Sequence, residues 1–180
     1  MAGRIQKCVV RIMACFLGAV GAIAAAPSAW AGAINIPAIT FVSHGSTGEF
    51  VNGGFLQYFR DFVGTYYAPV PGLEPGQNVC KFIFWPLDND TVFDVTARLV
   101  RKETASGSGV GFGPSPEVMA SVATVGASSD TQKLVAAAIT SPLVAVNFVY
   151  WVEIEFSGGS FPEGSFMGAL SVRIVQQPVC

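Results

Sequence analysis

The stretch VNFVYWVEIEF, Val146 to Phe156, decides the reading of the fold. With period two it puts Val146, Phe148, Tyr150, Val152, Ile154 and Phe156 on one face. Asn147, Val149, Trp151, Glu153 and Glu155 take the other. Large apolar side chains in strict alternation are the pattern of a strand with one face in a packed core. Two further stretches offer matching apolar faces: Phe93, Val95, Ala97 and Leu99, and Phe166, Gly168, Leu170, Val172 and Ile174.

Working outward, Val79 to Trp85 alternates as a strand that Pro86 is expected to end, and Leu87-Asp88-Asn89-Asp90 reads as a turn. Asp and Asn side chains bond nearby backbone and favour such turns. With Thr91 to Lys102 following, the pair reads as a hairpin with a short polar connection. Gly32 to Thr40 reads as a short leading strand that Pro37 marks as edge or break. Gly54 to Tyr67 carries Phe55, Tyr58, Phe59, Phe62, Tyr66 and Tyr67 and is taken as strand. Pro69 to Gly76 is turn-rich, and residues 103–117 and 158–164 are loops. Val118 to Val125 and Gln132 to Thr140 are two modest strands of small residues. The expectation is an all-β, antiparallel β-sandwich of jelly-roll or Greek-key type with six to eight strands. A small outer-membrane β-barrel is the alternative, because lipid-facing and core-facing alternation look alike.

Composition agrees. Charged residues are 12%, apolar residues 51%, and 14 Phe stand against one His, which suits strands and tight turns. The first 31 residues are set apart from the fold. Arg4, Lys7 and Arg11 precede an apolar run, Ile12 to Ala26, which Pro27 breaks, and Ala29-Trp30-Ala31 is an A-x-A cleavage site. That is the plan of a secretory signal peptide, leaving residues 32–180 as one domain, secreted or periplasmic, with no membrane span. A lipoprotein reading would use Cys15, but the apolar run lies mostly after it.

Removing the signal takes away three basic residues and leaves seven against twelve acidic ones, a net charge of −5. Such a chain lacks the basic footprint expected for DNA or RNA, and no basic run points to an anionic membrane. Cys80 and Cys180 remain as an even pair in an exported chain, and one disulfide between them is the simplest reading.

Trp85-Pro86-Leu87-Asp88-Asn89-Asp90 followed by Phe93-Asp94-Val95-Thr96-Ala97-Arg98-Leu99-Val100-Arg101 resembles a pattern in small secreted bacterial all-β proteins. Those proteins share an aromatic…DND…(F/Y)xVTxRLxR strand pair. Val149 to Ile154 and Gly168 to Ile174 resemble their later Tyr-rich strand and closing G-x-x-x-V-R-I element. The resemblance implies an exported sandwich and transfers no catalytic residue.

Chemistry-bearing candidates are sparse. His44, the only histidine, sits beside Ser43 and Ser46, without a G-x-S-x-G elbow, and reads as an exposed loop residue. Zinc or copper sites need several His or Cys ligands, which the mature chain lacks, and no cofactor is expected. Asp88, Asn89, Asp90 and Asp94 could offer oxygens to calcium, but their spacing lacks the full EF-hand set. Asn89-Asp90-Thr91 is a glycosylation sequon by pattern.

Glu153 and Glu155 share a strand face at about 7 Å by strand rise, a carboxylate separation seen in inverting glycosidases. A solvated strand face is the plainer reading. Trp151 on that face and Trp85 are aromatics on faces expected to be wet, which mark interfaces or ligand grooves. Trp151, Glu153, Glu155 and Trp85 are therefore the candidate binding residues. The expected role is non-catalytic: a structural or binding protein of the envelope or extracellular space, partnering itself or another protein. A carbohydrate-binding module, with a glycan on these residues, is the alternative.

Overall fold

A computed structural model describes residues 32–44, 64–104, 115–128, 130–158 and 165–180, and the backbone of 49–52 and 56–59. The signal peptide at 1–31, Gly45 to Gly48, most of the loop at 103–117 and the turn at 159–164 lie outside the described residues.

The strands are β1 (Gly32–Pro37), β2 (Val42–Ser43), β3 (Glu49–Asn52), β4 (Leu56–Phe59), β5 (Gly64–Pro69), β6 (Asn78–Asp88), β7 (Val95–Glu103), β8 (Glu117–Ala123), β9 (Leu134–Val135), β10 (Phe148–Phe156) and β11 (Met167–Gln177). The first sheet runs β3-β4-β11-β6-β9, with β1 also on β11; the second runs β2-β5-β10-β7-β8. Every ladder is antiparallel.

From β4 onward the chain crosses between sheets at every connection except β7 to β8, so β4-β11-β6-β9 faces β5-β10-β7-β8. That is the jelly-roll order of a β-sandwich. The barrel alternative is corrected: among the described residues the ladders form two sheets with ends, at β3 and β9 and at β2 and β8, and no ring closes. The strands number more than expected because β2 and β3 are short pieces not read from the sequence, and because Gly54 to Tyr67, read as one strand, divides into β4 and β5 on different sheets.

Between the sheets the alternation fills the core. Ile36, Val172 and Phe84 form one cross-strand row, and Ile34, Ile174 and Phe82 the next. They meet Val95, Ala97 and Leu99 of β7, Val152, Ile154 and Phe156 of β10, and Tyr66 and Ala68 of β5. Tyr66 meets Phe156 edge to face, ring centroids 5.5 Å apart. Each large apolar side chain so buried contributes roughly 1.5–3 kcal/mol before entropy is counted.

The inward face of the opening stretch is shorter than its alternation suggests. Val152, Ile154 and Phe156 are fully buried, Phe148 and Tyr150 half-buried, and Val146 lies before the strand at 75% exposure. The first residues of β10 lie at the margin of the core, where Tyr150 packs against it and its Oη accepts the Ala145 N–H at 2.9 Å.

Three local expectations are corrected. Pro86 does not end β6, which continues to Asp88. Opposite it, β11 shifts register between Ala169 and Ser171, and that irregularity absorbs the missing donor. The second concerns Asp88 to Asp90, which joins strands of different sheets and so makes a corner, not a hairpin. In 132–140 only Leu134–Val135 is strand.

Cys80 and Cys180 are joined, their Cα atoms 5.2 Å apart, tying the last residue to β6. A closure of this length is worth about 4–5 kcal/mol by the chain-entropy estimate. Nearby, the loop between β5 and β6 turns at Gly72 and Gly76, whose φ of 76° and 85° favour glycine. Gln176 reaches under that loop, accepting the Glu74 N–H at 3.0 Å and donating to the Gly72 carbonyl at 3.1 Å. No helix among the described residues is long and apolar enough to cross a membrane.

Candidate functional site

The outer face of the second sheet follows from register. β10 turns Val149, Trp151, Glu153 and Glu155 outward. Trp151 lies between Pro69 of β5 and Val100 of β7, Glu153 between Tyr67 and Arg98, and Glu155 between Thr65 and Thr96. The Glu153 row continues to Val42 on one side and Ser121 on the other. His44 extends this face past β2: its N–H donates to the Thr65 carbonyl at 3.1 Å, and its ring meets Tyr67 edge-on at 5.5 Å.

Charged and aromatic groups on the face are tied to one another. The Trp151 indole N–H donates to Glu153 Oε1 at 2.8 Å, which fixes the ring. Arg98 pairs with Glu155, each side chain about a third exposed at 31% and 32%. Burial pushes the Tyr67 hydroxyl pKa up, Glu153 and Glu155 push it further, and Arg98 opposes them. The ring therefore stays a neutral phenol throughout the physiological range. Glu153 and Glu155 do not form a glycosidase pair in this arrangement. They sit on one strand of an open face, and each has a carboxylate oxygen engaged by its neighbour.

The sequence candidates therefore separate. Trp151, Glu153 and Glu155 come together; Trp85 lies on the outer face of the first sheet, opposite Ser171. A guanidinium, Arg173, stands 5.7 Å from the Trp85 ring centroid and donates through Nε to Asn35 Oδ1 at 2.6 Å. Trp85 and Trp151 cannot form one platform, because the whole core separates them. Two members of the second-sheet face were not candidates from sequence: Arg98, which alternates with Ala97 and Leu99 and so takes the outward parity, and His44, read as a loop residue. Tyr67 could not be told from Tyr66, since one step of parity decides which enters the core.

At the corner, Asp88 and Asp90 are fully buried. Asp88 accepts the Asp90 N–H at 3.0 Å on Oδ1 and the Thr124 hydroxyl on Oδ2. Asp90 Oδ1 accepts the N–H groups of Val92 at 2.7 Å and Phe93 at 2.8 Å. Thr124 Oγ1 in turn accepts the Val95 N–H at 2.9 Å, and Asn89 Oδ1 accepts the Phe166 N–H. Burial raises the Asp88 pKa, against the bonds from Thr124 and Asp90. Burial acts on Asp90 the same way, but the donors from Val92, Phe93 and Ser165 outweigh it and bring its pKa down. Asp88 Oδ1, Asp90 Oδ1, Asn89 Oδ1 and Thr124 Oγ1 thus serve the backbone. Among the described residues no cluster of three or more His, Cys, Asp or Glu is placed to hold a metal ion.

One groove adjoins the second-sheet face. It measures about 420 Å³ and is lined mainly by apolar groups, among them Pro69, Leu73, Val144, Phe148 and Tyr150. Arg101 covers the Phe148 ring at 4.7 Å and pairs with Glu117.

No protein-family model matches the chain, and no curated protein does. Solved structures do. A family 11 carbohydrate-binding module from Clostridium thermocellum, in complex with a β-1,3-1,4-mixed-linked tetrasaccharide, aligns with TM-score 0.46 at 9% identity, over 79% of this chain and 95% of that one. A low-affinity xylan-binding module from Roseburia intestinalis gives 0.43 at 13%, over 79% and 94%. A family two carbohydrate esterase from Cellvibrio japonicus gives 0.45 at 8%, over 82% of this chain and 35% of that one. At these values neither ligand nor activity carries across.

Proposed function

We propose that this chain is an exported, non-catalytic carbohydrate-binding domain that takes neutral sugar chains on the outer face of its second sheet. One observation carries the reading. Trp151 and Tyr67 are diagonal neighbours on adjacent strands, half-buried, with Glu153 holding the indole and Arg98 and Glu155 paired alongside. A pyranose ring has an apolar C–H face and a rim of hydroxyls. Aromatic surfaces suit the first, and oriented carboxylate and guanidinium groups suit the second. Fixing those groups before binding lowers the entropy lost on contact.

The reading replaces self-association as the leading role and gives Glu153 and Glu155 a part in holding the indole, the guanidinium and sugar hydroxyls rather than in catalysis. Export follows from the basic and apolar leader at 1–31, and the Cys80–Cys180 bond fits an oxidising compartment, secreted or periplasmic.

Affinity electrophoresis through gels holding mixed-linked β-glucan or β-1,4-galactan tests it. At least one polymer retards the protein, and Trp151→Ala abolishes the retardation without lowering the melting temperature. Free migration of the unmodified protein in every neutral polymer defeats the reading. A dimer in light scattering that Trp151→Ala dissociates would assign the face to self-association instead.

A further inference from the structure

The mature chain is acidic and has no basic run, yet the fold gathers cations on the outer face of the first sheet. Arg173 of β11 pairs in register with Asn35 on one side and Ile83 on the other. Lys81 is exposed two residues before Ile83 on β6, and Trp85 lies two residues after it. Lys133 joins them through the edge strand. Leu134 is opposite Phe84, the Gln132 N–H donates to the Pro86 carbonyl at 3.1 Å, and the Ala136 N–H donates to the Phe82 carbonyl at 3.0 Å. That register puts Lys133 opposite Trp85.

The neighbouring outward positions are Ala33, Pro37, Ser171, Val175 and Val135, and none of these is a carboxylate. Arg98 and Arg101 of the second sheet are held by Glu155 and Glu117. Among the described residues no ion pair joins Lys81, Lys133 or Arg173 to an acid. A cluster of unneutralised cations in an acidic chain raises the local concentration of anions.

We infer that this face is a second binding site, for an acidic polysaccharide bearing carboxylate or sulfate groups. Arg173 is seated by Asn35 through Nε, which leaves the Nη edge of its guanidinium for a bidentate contact to an anionic group. Trp85 is half-buried with the Arg173 guanidinium over its ring and offers a sugar ring the apolar surface left beside that contact, while Asn35 and Ser171 meet hydroxyls. Lys81 and Trp85 are four positions apart, about 13 Å along β6, and adjacent strands add about 5 Å each. The cations are thus spread at intervals that an extended polymer with repeating charges can span. A compact anion would not span all three. The site does not depend on how the second sheet is used.

Affinity electrophoresis in polygalacturonate and in dextran sulfate, with the melting temperature checked for each variant, tests it. Retardation by one or both is expected at 50 mM salt and is lost at 500 mM, where the screening length is about half its physiological value or less. Arg173→Gln weakens it about fivefold or more, in line with one charge-assisted contact. Arg173→Lys keeps part of it, Lys81→Gln with Lys133→Gln lowers it, and Trp151→Ala leaves it unchanged. Free migration in both polymers overturns the inference. So does loss with Trp151→Ala but not Arg173→Gln, which would move the ligand to the second sheet. Equal or tighter capture by anionic phospholipid vesicles or a single-stranded oligonucleotide also overturns it, by making the partner a lipid surface or a nucleic acid.

Discussion

Trp151 and Trp85 occupy equivalent places, each outward on a central strand of its own sheet, and their surroundings are opposite in charge. The Trp151 indole is held by Glu153, and the neighbouring Arg98 is neutralised by Glu155. Trp85 has Arg173 over its ring, with Lys81 and Lys133 near it and no carboxylate at the outward positions beside them. The core beneath demands only outward parity from these positions and is indifferent to their chemistry. Selection of ligand is therefore free to differ between faces of one scaffold, and the lesson is that the two tryptophans are separate experiments.

The largest effect comes from attacking what the faces share. Cys80→Ser removes the closure between β6 and Cys180 and should lower stability by about 2–5 kcal/mol, read by chemical denaturation. Both faces should then lose binding only as the folded fraction falls. A loss confined to the Trp85 face at temperatures where the protein is still folded would mean that the bond orders that face locally.

Next in size is the cross-test of the tryptophans. Trp151→Ala should weaken neutral-sugar binding at least tenfold, about 1.4 kcal/mol or more, while Trp85→Ala leaves it within twofold. Equal losses from both would collapse the distinction between the faces.

The two buried aspartates of the corner give a smaller effect, with a definite sign. Asp88 has a raised pKa, so its ionised form is the one folding disfavours. Its contribution improves as pH falls from neutrality into the carboxylate range and worsens as pH rises through the raised value. Asp90, with a lowered pKa, contributes stability above the ordinary carboxylate range and loses it as pH falls through its depressed value. Asp88→Asn should therefore remove the gain in melting temperature as pH falls from neutrality toward about pH 4, and leave the Asp90 loss, which sets in below about pH 4, as the acid slope. A shallower acid slope in that variant would reverse the assignment.

How much of this was legible in the residues depends on which relation each feature needs. The buried halves of β7 and β10 were readable because Val95-Thr96-Ala97-Arg98-Leu99 and Val152 to Phe156 state their own parity. The disulfide was readable from the even cysteine count. The corner was not. Leu87 to Asp90 has turn chemistry whether the next strand pairs beside β6 or crosses to the other sheet, and only the burial of Asp88 and Asp90 separates the cases. Pro86 misled for a similar reason, since its tolerance depends on a register shift in β11, more than eighty residues away in sequence. The binding candidates failed at the same level. Trp85 and Trp151 each read as wet from local alternation, but which sheet each strand joins is a long-range fact. The Lys81, Lys133 and Arg173 cluster has no local signature at all.

The smallest predicted effect bears directly on the charge difference between the faces. Arg98 and Glu155 are partly exposed, so their pairing is screened and costs side-chain entropy, and such pairs are typically worth about 0.2–1 kcal/mol. A double-mutant cycle of Arg98→Gln and Glu155→Gln, followed by chemical denaturation, should give a coupling in that range that shrinks in 0.5 M salt. Arg173→Gln has no carboxylate partner to lose and should change stability by less than about 0.5 kcal/mol, as surface substitutions usually do. If instead Arg173→Gln destabilises more than Arg98→Gln, then Arg173 is held by the fold through Asn35 and Trp85 as a structural strut. The first-sheet cations would then count as scaffold, and the contrast between the faces would rest on Trp151 alone.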